Sequence, residues 1–182
     1  MINDPAVETE RLILRQFVPD DQERLLALLS DPEVIRYMLP GRPPTREEME
    51  NILPSIRRHW ERHGFGRWAV VRKDTLEFVG YGGLRLLVDT PEVVYHLARR
   101  YWGRGLATEM AKASLAFGFG EHGFDSIVAV AMPENTASLR VMEKVGMSRE
   151  GAREYFGMSL TQYRITRGEY RPDASLYVVR RG

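Results

Sequence analysis

The sequence predicts a mixed α/β (α+β) domain whose sheet is mostly antiparallel and flanked by helices. Three observations carry this reading. Apolar periodicity runs in the order of one strand, several helices, a strand-rich middle, and then a strand–helix–strand–helix–strand passage. The turn signal KDTLE, residues 73 to 77, joins two middle strands as a hairpin, which makes their pairing antiparallel. The chain has 182 residues, 43% hydrophobic and 28% charged, enough to bury one core and too short to leave room for two domains.

The first strand is expected over Glu10 to Phe17 (ERLILRQF), where Leu and Ile alternate loosely with charged residues. After Pro19, the pair Asp20 and Asp21 offers an N-cap for a helix carrying Leu25, Leu26, Leu28 and Leu29. Asp31 before Pro32 repeats the signal for a short second helix with Val34, Ile35 and Met38. Thr45 and Glu48 make a capping box for a third, on which Met49, Ile52, Ile56 and Trp60 fall at helical spacing. Pro54 lies inside that pattern and removes an internal hydrogen bond, so a kink or two consecutive helices is expected. These helices are rich in charge and are expected to pack over one edge of the sheet.

Strands follow at Arg67 to Arg72 (RWAVVR), Phe78 to Leu86 (FVGYGGLRL) and Glu92 to Ala98 (EVVYHLA). From Leu106, the residues Met110, Ala113 and Phe117 define one face of a helix, and glycines 118, 120 and 123 are expected to end it. Ile127 to Ala131 is a short buried strand. Asn135 caps a last helix lined by Leu139, Met142 and Val145 and stopped by Gly146. Strand-like pieces near Tyr155 and from Gln162 to Thr166 complete the order. The tail SLYVVRRG reads either as an added strand or as a loose end.

Composition excludes several functions. A formal charge of +1 argues against broad attraction to nucleic acid or to a membrane surface. The absence of cysteine removes disulfides, thiolate metal sites and a cysteine nucleophile. The opening MINDPAVETERL carries no apolar signal core and no run reaches the length of a membrane span, so the expected location is cytoplasmic. The segment HWERH, residues 59 to 63, spaces two histidines four apart. A metalloprotease helix would need glutamate where Trp60 stands, and no third ligand is evident, so no metal is expected.

The most informative stretch is RRYWGRGLATEM, residues 99 to 110. Gly103 and Gly105 let main-chain N–H groups approach a ligand, and the helix starting near Leu106 adds unpaired donors and a positive dipole end, so the turn suits an anion. The same glycines would also serve a tight strand-to-helix connection with no ligand. The phosphate loop GxxxxGK[ST] is absent, and the dinucleotide pattern GxGxxG fails at Thr108.

This stretch resembles motif A of the GNAT N-acetyltransferases, whose phosphate signature (Q/R)xxGx(G/A) is filled by Arg100, Gly103 and Gly105. The resemblance runs from about Glu8 to Tyr170 within a chain read as one domain over residues 1 to 182. It is carried, in order, by ETERLILRQF, DPEVIRYM, FVGYGGL, YWGRGLATE, NTAS at 135 to 138, and EKVGM followed by REG. These words look like the subgroup that includes ribosomal-protein N-terminal acetyltransferases. The resemblance implies a splayed sheet with acetyl-CoA bound between the fourth and fifth of the expected strands, those ending at Ala98 and Ala131. It places the pyrophosphate on the turn from Arg100 through Gly103, Arg104 and Gly105 and on the first helical residues Leu106, Ala107 and Thr108. The main-chain amides of Leu97 and Ala98 would bind the pantetheine and polarise the thioester carbonyl.

The acceptor amine must lose a proton before attack. A lysine side chain, with a pKa of about 10.4, needs more help than an α-amino group near about 8. Glu92 lies where the resembling subgroup places an acidic residue beside the reaction site, and it is the favoured base. It would serve equally as a surface carboxylate at a strand end. Glu154, in REYF, lies where some ribosomal-protein acetyltransferases carry a base, and is otherwise a solvated charge beside Arg153. Strand alternation puts Glu92, Val94 and His96 on one face, which makes His96 a reserve proton shuttle. Many superfamily members protonate the departing thiolate with a tyrosine seven residues after the position of Asn135. Here that position is Met142, which has no proton to give. Asn135 and Ser138 are expected near the CoA sulfur, with Ser138 as an optional donor, and both fit a plain helix cap as well.

The resulting expectation is an acetyl-CoA-dependent N-acetyltransferase using direct attack in a ternary complex. Its acceptor is a protein N-terminus or, alternatively, a small or aminoglycoside-like amine. Loss of the tyrosine also leaves open a non-catalytic CoA-binding regulator. Partners are limited to acetyl-CoA and the acceptor, with no nucleic acid and no membrane, in a monomer or homodimer. Specificity is expected from the segment Pro32 to His63 and the loop Val88 to Pro91. Tyr37, Trp60, Phe65 and Trp68 are candidates for the pocket wall or for the core.

Overall fold

The computed structural model describes residues 6–38, 41–173 and 178–180. In chain order the elements are β1 (Ala6–Glu8), β2 (Leu12–Arg15), α1 (Asp21–Leu29), α2 (Pro32–Ile35), α3 (Arg46–His63), β3 (Arg67–Arg72), β4 (Phe78–Leu87) and β5 (Thr90–Leu97). They continue with α4 (Leu106–Gly120), β6 (Ser126–Ala131), α5 (Thr136–Lys144), β7 (Ser148–Tyr155), β8 (Met158–Thr166) and β9 (Val178–Arg180). The strands form one sheet in the order β7-β8-β6-β5-β4-β3-β2-β1-β9. Among the described residues each pairing is antiparallel except β5 with β6.

Two apolar layers sandwich the centre of this sheet. On one face α4 packs Met110 and Phe117 against Trp68, Val70, Leu84 and Val93, and alternation along the strands supplies that face. On the other face α1 and α2 bring Leu25, Leu28, Val34 and Ile35 onto Ala69, Phe78 and Tyr81. The helix α3 gives Met49 to the second layer and Ile56 and Trp60 to the first, so it runs from one core to the other. These helices therefore cover a face as well as an edge. Within the first layer the rings of Trp68 and Phe117 meet edge-on at 4.9 Å. Among the described residues no helix is long and apolar enough to cross a membrane.

Several expectations shift in physically clear ways. The expected strand Glu10 to Phe17 contracts to β2, while β1, three residues long, is too short for alternation to reveal. Asp20 stands at the N-cap of α1 but makes no side-chain cap bond. Asp21 turns inward and accepts from Arg15 at 2.6 and 3.0 Å and from the Val18 N–H at 3.0 Å. Burial pushes its pKa up, and the Arg15 and Val18 bonds outweigh that, holding the carboxyl below its usual range.

The capping box of Thr45 and Glu48 forms as expected, but α3 passes through Pro54 as one helix. Both Pro54 and Glu50, whose carbonyl lacks the proline N–H, lie on the exposed side of the helix, where the lost bond costs least. Gly118 does not end α4. A Cβ there would sit 2.7 Å from Ile127 Cδ1 and 3.1 Å from Leu84 Cδ1, so this glycine lets the helix lie close on the sheet. The tail contributes β9 to the β1 edge, and the rest of SLYVVRRG lies outside the described residues.

Candidate active site

The parallel strands β5 and β6 share a single bridge, Glu92 with Val128. Beyond it β5 stays on β4 as far as Leu97 with Gly80, and β6 stays on β8 as far as Ala131 with Thr161. The two strands therefore diverge towards their C-terminal ends. A cavity of about 1120 Å³ occupies this wedge, with Glu92 at its closed end and the turn after β5 at its open end.

That turn is built for close approach by a ligand. Gly103 and Gly105 hold left-handed φ angles of 73° and 76°, which side chains rarely adopt. A Cβ on Gly103 would meet nothing within 4 Å, so the space above the loop is open. Gly105 caps α4 without a side-chain bond, leaving the N–H groups of Leu106, Ala107 and Thr108 without intrahelical partners. All three residues line the cavity with Gly103 and Gly105. The positive end of α4 and these donors fit a pyrophosphate.

A second set of contacts, not anticipated from sequence, fixes the turn from behind. Glu109 is 7% exposed and accepts from Thr9 Oγ1 at 2.6 Å, the Arg11 N–H at 2.9 Å and Arg11 Nε at 2.6 Å. Arg11 Nη1 donates to the Arg104 carbonyl at 2.9 Å, inside the turn itself. The chain before β2 thus braces a loop more than ninety positions away. The sequence signal was a carboxylate in the first turn of α4, which reads equally as a dipole-compensating residue.

Main-chain donors beside the wedge are more limited than expected. The Ala98 N–H bonds the Val79 carbonyl at 2.9 Å, so Ala98 is not available to polarise a thioester. Alternation along β5 then aims the N–H groups of Leu97 and Tyr95 at the opposite edge, which borders the wedge. The Leu97 carbonyl accepts from Trp102 Nε1 at 2.8 Å.

Glu92 is 1% exposed, which overturns the surface-carboxylate alternative. Its Oε2 accepts from Arg85 Nε at 2.5 Å across the β4–β5 ladder. Burial pushes its pKa up, against the opposing pull of Arg85, Arg67 and the Val130 N–H. His96, on the same strand face, packs against Tyr81 with ring centroids 4.8 Å apart and planes tilted by 34°. Burial, helped by Arg85 and Arg67, pushes the His96 pKa down to about 3. It is neutral at neutral pH and a weak proton acceptor, which makes it a poor shuttle.

Across the wedge, the side-chain oxygen of Asn135 accepts from the Ser138 N–H at 3.2 Å, the cap expected of it. The Tyr95 hydroxyl lies 2.9 Å from Ser138 Oγ and 3.1 Å from the Ser138 carbonyl, tying β5 to α5. Tyr95 lines the cavity and was not singled out from sequence. Burial raises its pKa, so the phenol stays protonated. Met142, 2% exposed, belongs to the core beneath this pair.

Other expected residues lie elsewhere. Glu154 is exposed on β7, opposite Ser159, and does not line the cavity. Arg100 and Arg104 are exposed at the rim, with Arg100 lying over the Tyr101 ring. Neither side chain lines the wedge. None of the residues 88 to 91 lines the cavity: Val88 is 71% exposed, and Thr90 and Pro91 pair with β4 as the start of β5; Phe156 and Met158, from the β7–β8 connection, line it instead. Tyr37 lines the cavity, while Trp60, Phe65 and Trp68 are core residues. His59 and His63 pack 4.6 Å apart against Phe65, and among the described residues no group of three or more His, Asp or Glu could hold a metal ion.

Comparison with known proteins bears on the family and the fold. Residues 11–148 match the family model described as an acetyltransferase (GNAT) domain. The uncharacterized N-acetyltransferase YoaA of Bacillus subtilis is 33% identical over 164 residues, covering 87% of this chain and 92% of that protein. A GNAT-family acetyltransferase from Bacillus anthracis has a TM-score of 0.77 at 30% identity, covering 90% of this chain and 99% of that one. A spermidine N-acetyltransferase from Vibrio cholerae, solved with CoA and spermine, has a TM-score of 0.73 at 18% identity, with 87% of this chain and 97% of that one covered. The family match removes the non-catalytic regulator from consideration. The chain belongs to the GNAT family and is an N-acetyltransferase that uses acetyl-CoA as its co-substrate.

Proposed function

We propose that the chain moves the acetyl group to a primary amine by direct attack within one ternary complex, without a covalent enzyme intermediate. The observation that carries this reading is the β5–β6 wedge, with an uncapped, glycine-built turn at its open end and a buried carboxylate at its closed end. The amides of residues 103 to 108 bind the pyrophosphate, and the N–H groups of Tyr95 and Leu97 hold the pantetheine and thioester. The acceptor enters from the sheet face that carries Arg85, Glu92 and His96. A cleft shared by CoA and an amine is in keeping with the Vibrio cholerae neighbour, which holds CoA together with spermine.

The acceptor nitrogen attacks the thioester carbonyl carbon, forming the C–N bond as the C–S bond breaks. Glu92 takes the nitrogen's proton through water, since a carboxyl raised by burial is a better base near neutral pH than an ordinary one. The Tyr95 O–H, which donates to the Ser138 carbonyl at 3.1 Å, turns from that carbonyl to the departing sulfur. With its pKa raised, it supplies a dipole and keeps its proton; a thiol with a pKa of about 8.5 needs little acid help.

The test is thiol release from acetyl-CoA with two acceptor series, protein N-terminal peptides and small amines, in the wild type and in Glu92→Gln. The variant should lose about 10²- to 10⁴-fold in kcat with the CoA affinity kept. Wild-type activity should fall on acidification through the raised Glu92 pKa, and this limb should vanish in the variant. Folding favours the protonated carboxyl, so Glu92 contributes most to stability below its ordinary pKa and loses that contribution as pH rises through the folded value. Glu92→Gln should therefore remove this pH dependence of stability, read as a Tm that no longer carries the Glu92 titration between mildly acidic and neutral pH. A full-rate Glu92→Gln enzyme overturns the base assignment.

A further inference from the structure

On the face opposite α4, the sheet carries Arg67 from β3, Tyr81 and Arg85 from β4, and Glu92 and His96 from β5. Register places them together. Arg67 pairs with Gly83, whose other neighbour is Val94, and Arg85 pairs with Glu92. All five line the same cavity. Glu92 is answered by Arg85. His96 and Tyr81 are neutral, because burial lowers the imidazole pKa and raises the phenol's. At the rim Glu48 is answered by Arg42 at 2.8 Å, and Glu33 lies 3.9 Å from Arg36.

Arg67 has no such partner. Among the described residues its guanidinium makes no hydrogen bond and no ion pair, although burial bears on it strongly enough to lower its pKa. A half-buried guanidinium that lines the cavity with no protein acceptor for its five donors is a ready partner for an anion entering there. On the reading above, the phosphates of CoA would lie at the far end of the wedge, on residues 103 to 108, and would not serve Arg67. The chamber floor holds one positive charge in excess. That charge also opposes a polycationic acceptor and disfavours the ammonium form of any amine beside it.

Resting on the acetyl-transfer reading above, we infer that the acceptor is an amine that also carries a carboxylate, which Arg67 binds as a bidentate pair while the amine is presented to Glu92. The carboxylate belongs either to a free amino acid or to the side chain of an acidic first residue of a peptide; the chemistry at Arg67 is the same.

The experiment measures kcat/KM by thiol release for a series of α- to ω-amino acids, their carboxamides, the matching decarboxylated amines, and short peptides beginning with Asp or with Asn. At least one carboxylated acceptor should exceed its uncharged counterpart by about 30-fold or more, chiefly through KM. The responding arm identifies the source: the free acids or the Asp peptides. Arg67→Gln should abolish the difference by lowering only the acid's kcat/KM, and Arg67→Lys should restore part of it. Calorimetric binding of CoA should be unchanged in both variants, which certifies their fold. The inference is overturned if neutral or polycationic amines are preferred in the wild type, or if Arg67→Gln leaves the ratio intact. Absence of turnover with every amine, while CoA binds, would instead overturn the acetyl-transfer reading itself.

Discussion

Met142 occupies the position at which the family resemblance implies a proton-donating tyrosine, and the hydroxyl that reaches this part of the wedge comes from Tyr95 on the neighbouring strand. Its bonds to Ser138 fix the ring, and its single O–H, given to the Ser138 carbonyl in this structure, must swing to reach sulfur. Tyr95→Phe should lower kcat by about 10- to 100-fold while leaving the KM for acetyl-CoA and the acidic pH limb nearly unchanged. Steady-state kinetics across pH checks this; a shifted acidic limb would mean that Tyr95 acts through Glu92. Alternation along β5 showed that Glu92, Val94 and His96 share a face, so this part of the cavity wall was legible from residues alone. Tyr95 was not, because its role depends on how closely α5 approaches β5, and no local pattern encodes that distance.

At the level of elements, the glycine turn before α4 is braced by Thr9 and Arg11, just ahead of β2. Arg11 bonds both Glu109 in α4 and the Arg104 carbonyl within the turn, so its loss frees the loop without touching the ligand. Arg11→Ala should weaken CoA binding by about tenfold, read by calorimetry, with kcat at saturating acetyl-CoA little changed. Unaltered affinity would show that the glycine turn holds its shape without the brace. The turn itself was readable because two glycines before a helix are a local signal. The brace was hidden because Thr9, Arg11 and Glu109 meet only through tertiary packing. The same contrast holds among strands. β3 coincides with its expected range because RWAVVR is continuous and apolar, whereas β7 is exposed along most of its length and gives no hydrophobic alternation to read.

For the molecule as a whole, function follows from one topological irregularity. The sheet is antiparallel until β5 meets β6, and a parallel neighbour reached through α4 is held by a single bridge before the strands part. The opening this creates passes between the two faces of the sheet. One side meets the amides of α4 and the other meets the charged floor under α2 and α3. The strand and helix order already implied a mixed sheet, but the width of the wedge and the charge left over at Arg67 come from packing and register.

The most direct test compares calorimetric binding of CoA with that of 4′-phosphopantetheine, which keeps the arm and thiol but lacks the pyrophosphate bridge. If the amides of residues 103 to 108 carry the affinity, CoA should bind at least about 100-fold more tightly. Equal affinity for the two would contradict the account.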